Sequence, residues 1–156
     1  MTKTTLENRL TLELDSNNFT AHIIESPKGN LIIPRSVVFQ SKEYDITSIK
    51  KYSFLHNKKI WSIDFAERSS LLLIEEKSFK FSSIKVLHIP SSVEELQEGW
   101  CDTTPKLNEV IISPNNPNFK YIDEKQNSII GKSDKNKDEF DVLIFGCRNI
   151  KEVTIP

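Results

Sequence analysis

The sequence predicts a mostly β solenoid of about four short coils, with an N-terminal β cap and a hairpin insertion. Two observations lead to this prediction. Four segments repeat one spacing of apolar residues, namely IWSIDF at 60–65, IKVLHI at 84–89, LNEVII at 107–112 and IKEVTI at 150–155. A second pattern, which ends in an aromatic residue, precedes the first three of them at 46–54, 71–79 and 93–100. Because one such coil cannot bury its own apolar face, the coils are expected to stack on each other.

The interval between repeats indicates the type of solenoid. The segments that begin at Ile60, Ile84 and Leu107 are 24 and 23 residues apart. Both intervals lie in the range of 20–29 residues that is typical of leucine-rich repeats. The next segment begins 43 residues later, at Ile150, so an insertion is expected before it. The sequence therefore predicts a leucine-rich-repeat solenoid with one interrupted coil.

Each repeat ends in a short predicted strand. Apolar residues alternate there with other residues, which is the pattern of a strand with one buried face. Stacked coils place these strands side by side and in parallel. The aromatic residues of the second pattern should then form a column inside the solenoid: Phe54, Phe79, Trp100 and, by position, Phe145. Pro90 and Pro156 follow the last apolar residue of two repeats and are expected to end the strand, since proline lacks the N–H that continues a ladder.

The segments outside the repeats have separate predicted roles. Strands are expected at 10–14, 19–24 and 31–34, and residues 1–45 are predicted to form a β-rich cap over the first apolar layer. Residues 46–114 contain the repeats, residues 115–145 an insertion that resembles a hairpin with a polar loop, and residues 146–156 a last partial repeat. The whole chain, 1–156, is predicted to be one domain. Its last coil has no polar closing segment, so we expect either a longer array or a partner that covers this open end.

Charge and composition exclude several classes of function. Lys and Arg number 21 against 22 Asp and Glu, a formal net charge of −1, so we expect no nucleic-acid partner. The pairs Lys50-Lys51 and Lys58-Lys59 are interpreted as solvated surface. No apolar run approaches the ~20 residues of a membrane helix, and the N-terminus lacks the apolar core of a secretory signal. Cys101 and Cys147 could form one disulfide or remain two thiols.

The sequence contains no pattern of catalytic, cofactor-binding or metal-binding residues. His22, His56 and His88 stand apart from any nucleophile at a motif spacing, and no glycine-rich phosphate loop is present. The run Asp134-x-Asn136-x-Asp138 resembles the start of a calcium loop. Position six of that loop is Glu139 instead of glycine, so we predict no calcium site. We expect no cofactor and no enzymatic activity.

A candidate binding surface follows from the predicted strands. Residues between the buried anchors should point outward across the concave sheet of the solenoid. These residues are Ser62, Asp64, Val86, His88, Glu109, Ile111, Glu152 and Thr154. We interpret them as a protein-binding face with an apolar centre at Val86 and Ile111 and a polar rim. An ordinary solvated sheet is the alternative.

Several motifs resemble the BspA-like leucine-rich-repeat family, in particular its protist surface-antigen branch. They are IPRSV at 33–37, IPSSV at 89–93, the SF endings of the second pattern, and ISPNNPNFKYI followed by SIIGKSD in the insertion. The resemblance covers residues 31–156. It implies a non-enzymatic scaffold that binds proteins and adheres to host matrix or to other cells as a surface antigen.

A second function stays open beside adhesion. An intracellular structural or assembly protein, packed end to end through the open C-terminal coil into a cytoskeletal or filamentous array, fits the lack of a visible signal peptide and anchor. The resemblance thus favours the cell surface, and the lack of targeting segments favours a cytoplasmic or cytoskeletal location. The sequence does not identify the protein partner.

Overall fold

The fold consists of short β-strands. A computed structural model describes residues 1–122, 124–126 and 128–146. None of these residues lies in an α-helix. The strands are β1 (Thr2–Thr5), β2 (Thr11–Asp15), β3 (Thr20–Glu25), β4 (Leu31–Ile33), β5 (Ser36–Phe39), β6 (Lys42–Ile49), β7 (Ser62–Phe65), β8 (Leu73–Ile74), β9 (Val86–Ile89), β10 (Glu95–Leu96), β11 (Glu109–Ile112), β12 (Phe119–Tyr121), β13 (Ser128–Gly131) and β14 (Val142–Gly146).

Four parallel strands form what we call the main sheet, in the order β11-β9-β7-β4. The register joins equivalent positions of successive coils, since Ile63 pairs with Leu87 and Leu87 with Val110. This confirms the predicted parallel stacking for the first three repeats. The fourth predicted strand, at 150–155, lies outside the described residues.

The first strand of the main sheet comes from a segment that we assigned to the cap. β4 pairs in parallel with β7, with Ile32 beside Asp64. Its residues Leu31 and Ile33 are buried as the inward residues of the repeat strands are. The hydrogen bonds thus place 31–33 in the same sheet as the repeats. The division of the chain at residue 45 stays a prediction.

A second sheet lies on the other side of each coil. Its order is β1-β2-β3-β6-β8-β10, and β5 pairs with β6 as well. The pairs β3–β6, β6–β8 and β8–β10 are parallel, whereas β1–β2 and β2–β3 are antiparallel. β8 and β10 lie within the second sequence pattern, so a coil contributes one strand to each sheet. The antiparallel strands at the amino-terminal end extend the sheet beyond the coils.

The core between the two sheets contains the predicted aromatic column. The rings of Phe54 and Phe79 stack with their centroids 4.7 Å apart, and Trp100 meets Phe79 edge to face at 6.0 Å. Phe145 continues the column at 6.3 Å from Trp100. All four side chains are buried. The prediction of an interior column, Phe145 included, is confirmed.

Each coil turns through the same left-handed backbone conformation after its strand in the second sheet. Three residues beyond Ile49, Ile74 and Leu96, φ is 64° at Tyr52, 55° at Lys77 and 70° at Gly99. Only the third coil uses glycine, the residue that adopts this conformation without steric cost. The turn geometry is thus repeated more faithfully than the residue type.

The insertion adds a small antiparallel sheet that is bonded to the edge of the main sheet. β13 pairs with both β12 and β14, so the predicted hairpin is present with one further strand. The Tyr121 hydroxyl accepts a hydrogen bond from the Ile112 N–H at 2.8 Å and donates one to the Val110 carbonyl at 3.0 Å. This hydroxyl therefore satisfies two main-chain groups of β11 that do not pair with β9.

Candidate protein-binding face of the main sheet

The main sheet has one buried face and one face toward solvent. On β9, Leu87 and Ile89 are buried, whereas Val86 and His88 are partly exposed. β11 alternates in the same way, and on β7 Ile63 is buried while Phe65 is only partly buried. The outward face of the main sheet therefore comprises Ile32, Ser62, Asp64, Val86, His88, Glu109 and Ile111.

Strand register arranges these side chains in two rows. The first row contains Ser62, Val86 and Glu109, which pair directly across β7, β9 and β11. In the second row Ile32 pairs with Asp64, and His88 pairs with Ile111. The predicted residues of the described repeats thus share one surface, on which Val86 and Ile111 lie diagonally across neighbouring strands. Glu152 and Thr154 lie outside the described residues.

Two exposed apolar residues on or beside the strands of the main sheet were not predicted as part of the face. Ile32 on β4 is 68% exposed, and Trp61, immediately before β7, is 55% exposed. The Lys85 ammonium lies 5.6 Å from the centroid of the Trp61 ring. The sequence does contain a signal for each exposed residue. Trp61 is an aromatic residue at a spacer position of IWSIDF, and Ile32 lies between the two apolar anchors of LIIP.

One acid and one imidazole meet in the centre of the second row. His88 Nδ1 is 3.5 Å from Asp64 Oδ1, and both side chains are substantially exposed. The same Asp64 oxygen accepts a hydrogen bond from the Phe65 N–H at 2.8 Å. The Asp64 side chain is therefore held by its own strand, and His88 adds an ion pair only when it is protonated.

A cleft opens at the carboxyl ends of β7, β9 and β11. Its volume is about 330 Å³, and Asp64, His88 and Ile111 contribute to its lining. Segments 65–69, 89–91 and 112–114, which follow the strands, complete the lining. The wall of the cleft combines charged, apolar and hydroxyl groups, the mixture that orients a bound group.

The described residues offer little else in the way of chemistry. No group of three or more His, Cys, Asp or Glu side chains in this part of the chain is placed to hold a metal ion. No helix among the described residues is long and apolar enough to cross a membrane. Cys101 is partly buried, and Cys147 lies outside the described residues, so the question of their pairing stays open.

Comparison with known proteins identifies the repeat and the fold. A family model described as BspA type leucine rich repeat region matches residues 33–129 in six copies. The crystal structure of the pneumococcal vaccine antigen PcpA has a TM-score of 0.54 at 17% identity, covering 74% of this chain and 39% of the antigen's length. A leucine-rich repeat protein from Bacteroides capillosus has a TM-score of 0.47 at 20% identity, covering 72% of this chain and 99% of that protein. No curated protein matches the sequence.

Proposed function

We propose, from the premise that this chain belongs to the BspA-type leucine-rich-repeat family, that it is a non-enzymatic scaffold that binds a protein partner through the outward face of the main sheet. The observation that carries the proposal is a group of apolar side chains that reach the surface on or beside that face, two of them exposed (Ile32 and Trp61) and two partly exposed (Val86 and Ile111). Ile32, Trp61, Val86 and Ile111 lie on or beside adjacent strands of one hydrogen-bonded sheet. Binding a partner would remove this apolar surface from water.

The polar groups of the face support recognition of a specific partner. Asp64, His88 and Glu109 lie among the apolar residues and would have to be matched by polar and charged groups of the partner. Trp61 has the size and rigidity of a residue that dominates binding energy when it is covered. The sheet is already ordered, so little conformational entropy would be lost on its side of the interface.

A bait comparison tests the proposal. The double variant Val86→Asp/Ile111→Asp places two charges on the face, and Val38→Asp, which adds one charge to the other sheet, is the control. Val38 is 73% exposed on β5, which belongs to the second sheet. We expect proteins captured by the unaltered chain to be lost with the double variant and retained with the control, as measured by quantitative mass spectrometry. Retention of every partner by the double variant would contradict the proposal.

For the cellular role we propose adhesion, in which the partner belongs to host matrix or to another cell. Antibody labelling of intact and permeabilised cells tests this setting. Labelling of intact cells is the expected result. A signal that appears only after permeabilisation would overturn adhesion and favour the intracellular structural role, while the binding proposal for the outward face would remain to be judged by the bait comparison.

A further inference from the structure

The two lysine pairs of the sequence have different surroundings in the structure. Lys50 Nζ lies 2.8 Å from Glu75 Oε1, and Lys51 Nζ lies 2.5 Å from Glu76 Oε1. Lys58 and Lys59 form no salt bridge with any residue that the structure describes. The first pair is therefore neutralised within the protein, and the second keeps its charge available.

Lys58 and Lys59 belong to what we call the basic cleft. It consists of two adjoining cavities at the turns of the first coils. One has a volume of about 530 Å³ and is lined by Lys28, Lys58 and Lys59, and the other, of about 490 Å³, is lined by Arg9 and shares Lys28. Like the lysines, Arg9 has no salt-bridge partner among the described residues. Four available cations thus line two neighbouring cavities, which share Glu25, Ser26 and Lys28.

The charge of the basic cleft is opposite to that of the whole chain. Glu25 is the one carboxylate among the residues that line the two cavities. Four cations against one anion give a local positive excess in a chain whose formal net charge is −1. Such a separation of charge attracts anions to the cleft rather than to the surface in general.

Hydrogen bonds hold the walls of the cleft in place. The Asn57 amide donates to Ser26 Oγ at 2.8 Å and to the Pro27 carbonyl at 2.7 Å, and the Ser26 N–H donates to the Ser53 carbonyl at 2.9 Å. Lys58 Nζ donates to the Phe81 carbonyl at 2.6 Å, which uses one of the three N–H groups of its ammonium. Because these main-chain groups already have partners, a ligand would meet mainly side chains in this wall. An extended peptide that adds to a sheet needs free main-chain groups instead.

Two ring side chains lie in the same wall. Tyr52 is 45% exposed, and the exposed imidazole of His56 stacks on the Phe81 ring with centroids 4.9 Å apart. The negative face of an aromatic ring attracts the positively polarised C–H groups of a sugar ring. One face of each ring is already covered, since the Lys51 ammonium lies 5.2 Å from the centroid of the Tyr52 ring and Phe81 stacks on His56. The cleft thus combines cations for acidic groups with the remaining ring surface for a pyranose unit.

We propose that the basic cleft is a second binding site, distinct from the outward face of the main sheet, that takes a sulfated or carboxylated polysaccharide. Ammonium and guanidinium groups would form charge-assisted hydrogen bonds to its acidic groups. Tyr52 would pack against a sugar ring.

The test measures binding of a size-defined heparin oligosaccharide by calorimetry over a range of salt concentrations. The variant Lys28→Gln/Lys58→Gln/Lys59→Gln is compared with Lys106→Gln/Lys125→Gln/Lys137→Gln, which removes the same charge from exposed lysines that form no salt bridge with a described residue. We expect the cleft variant to lose roughly tenfold in affinity at low salt. The slope of log affinity against log salt should become less steep by about 2. Each phosphate contact of a nucleic acid contributes about 0.7–0.9 to this slope, and the variant removes three lysines.

The controls separate the site from general electrostatics and from other ligands. Equal losses in both triple variants would overturn the proposal, because only net charge would then matter. Equally tight binding of polyglutamate or of an oligonucleotide would overturn the assignment to a polysaccharide. Tyr52→Ser should weaken binding several-fold without changing the salt slope. An unchanged affinity would contradict the proposed contact between Tyr52 and a sugar ring. Val86→Asp/Ile111→Asp should leave heparin binding intact, so this proposal and the proposed function can fail separately.

Discussion

The two faces of the main sheet come from the same strands. The inward face repeats one residue type from coil to coil, and the outward face does not. At successive inward positions the residues are Ile63, Leu87 and Val110, all aliphatic and buried. At the adjacent outward positions they are Ser62, Val86 and Glu109: one polar, one apolar and one acidic.

This difference follows from packing. An inward residue must fill the space between two neighbouring coils, so its size and polarity are restricted in every repeat. An outward residue meets solvent or a partner and is free of that restriction. The repeated face therefore specifies the fold, and the variable face is free to differ between coils, as the proposed partner-binding surface requires.

The largest expected effect comes from truncating one inward residue. Leu87→Ala should lower the free energy of unfolding by about 2–5 kcal/mol, because it removes buried groups and leaves a cavity between coils. Val86→Ala, one residue away on the outward face of the same strand, should cost less than about 1 kcal/mol. Urea unfolding followed by circular dichroism measures both. Equal losses would contradict the division of the sheet into a face for folding and a face for binding.

The edge of the main sheet provides the next test. Tyr121→Phe removes the hydroxyl that bonds to the Ile112 N–H and the Val110 carbonyl and keeps the ring in place. Because these groups are only partly buried and water can replace some of the interaction, we expect a loss of about 1–2 kcal/mol. Tyr52→Phe removes an exposed hydroxyl and is the control. If both variants unfold at the same urea concentration, the insertion does not stabilise the edge of β11.

The inward pattern could be predicted from the sequence because every coil repeats it. The aromatic column needed only the positions of Phe54, Phe79 and Trp100, since stacking brings equivalent positions together. Tyr121 could not be found in this way, because its hydroxyl acts on a strand outside its own repeat pattern. Ile32 was missed as an outward residue because β4 precedes the first aromatic pattern, so composition assigned it to the cap.

The lysine pairs show what the register adds to the sequence. β6 and β8 pair with Ser48 beside Leu73 and Ile49 beside Ile74, and the same offset of 25 residues brings Glu75 to Lys50 and Glu76 to Lys51. β7, which follows Lys58 and Lys59, pairs with β9 at an offset of 24 residues, and the same count from the two lysines reaches Ser82 and Ser83, which carry no charge. Two pairs that look alike along the chain therefore differ once the coil offset is known.

The left-handed turn position gives a smaller effect of defined sign. Gly99→Ala should lower the free energy of unfolding by about 1 kcal/mol, because alanine at φ 70° is strained while its Cβ meets nothing closer than 3.9 Å. Lys77→Gly changes the equivalent position one coil earlier and should raise the free energy of unfolding. The gain should be smaller than about 1 kcal/mol, since glycine also increases the entropy of the unfolded chain. Thermal unfolding of both variants tests whether the coils share one turn geometry.

The smallest expected effect concerns His22, which belongs to the second sheet and is half-buried. Its Nδ1 lies 2.8 Å from the Ser48 hydroxyl. Burial, reinforced by the nearby charge of Lys50, holds the pKa of His22 below its ordinary value of 6.5, although Glu13, Asp15 and Glu75 oppose the shift. Below that value the unfolded chain takes up a proton more readily than the folded chain, so stability should fall as pH decreases from 6.5 toward the lower pKa of the folded state.

Replacing His22 should therefore flatten this dependence on pH. His22→Gln keeps a polar side chain and removes the titration, and His56→Gln replaces a histidine at an exposed position as the control. Free energies of unfolding measured in urea at several pH values below and above 6.5 give the slope for each protein. A slope that is unchanged in His22→Gln would mean that other groups cause the acid sensitivity. A flatter slope would show that His22, an outward residue of the second sheet, contributes to the pH dependence of stability. The separation into a folding face and a binding face would then hold for the main sheet only.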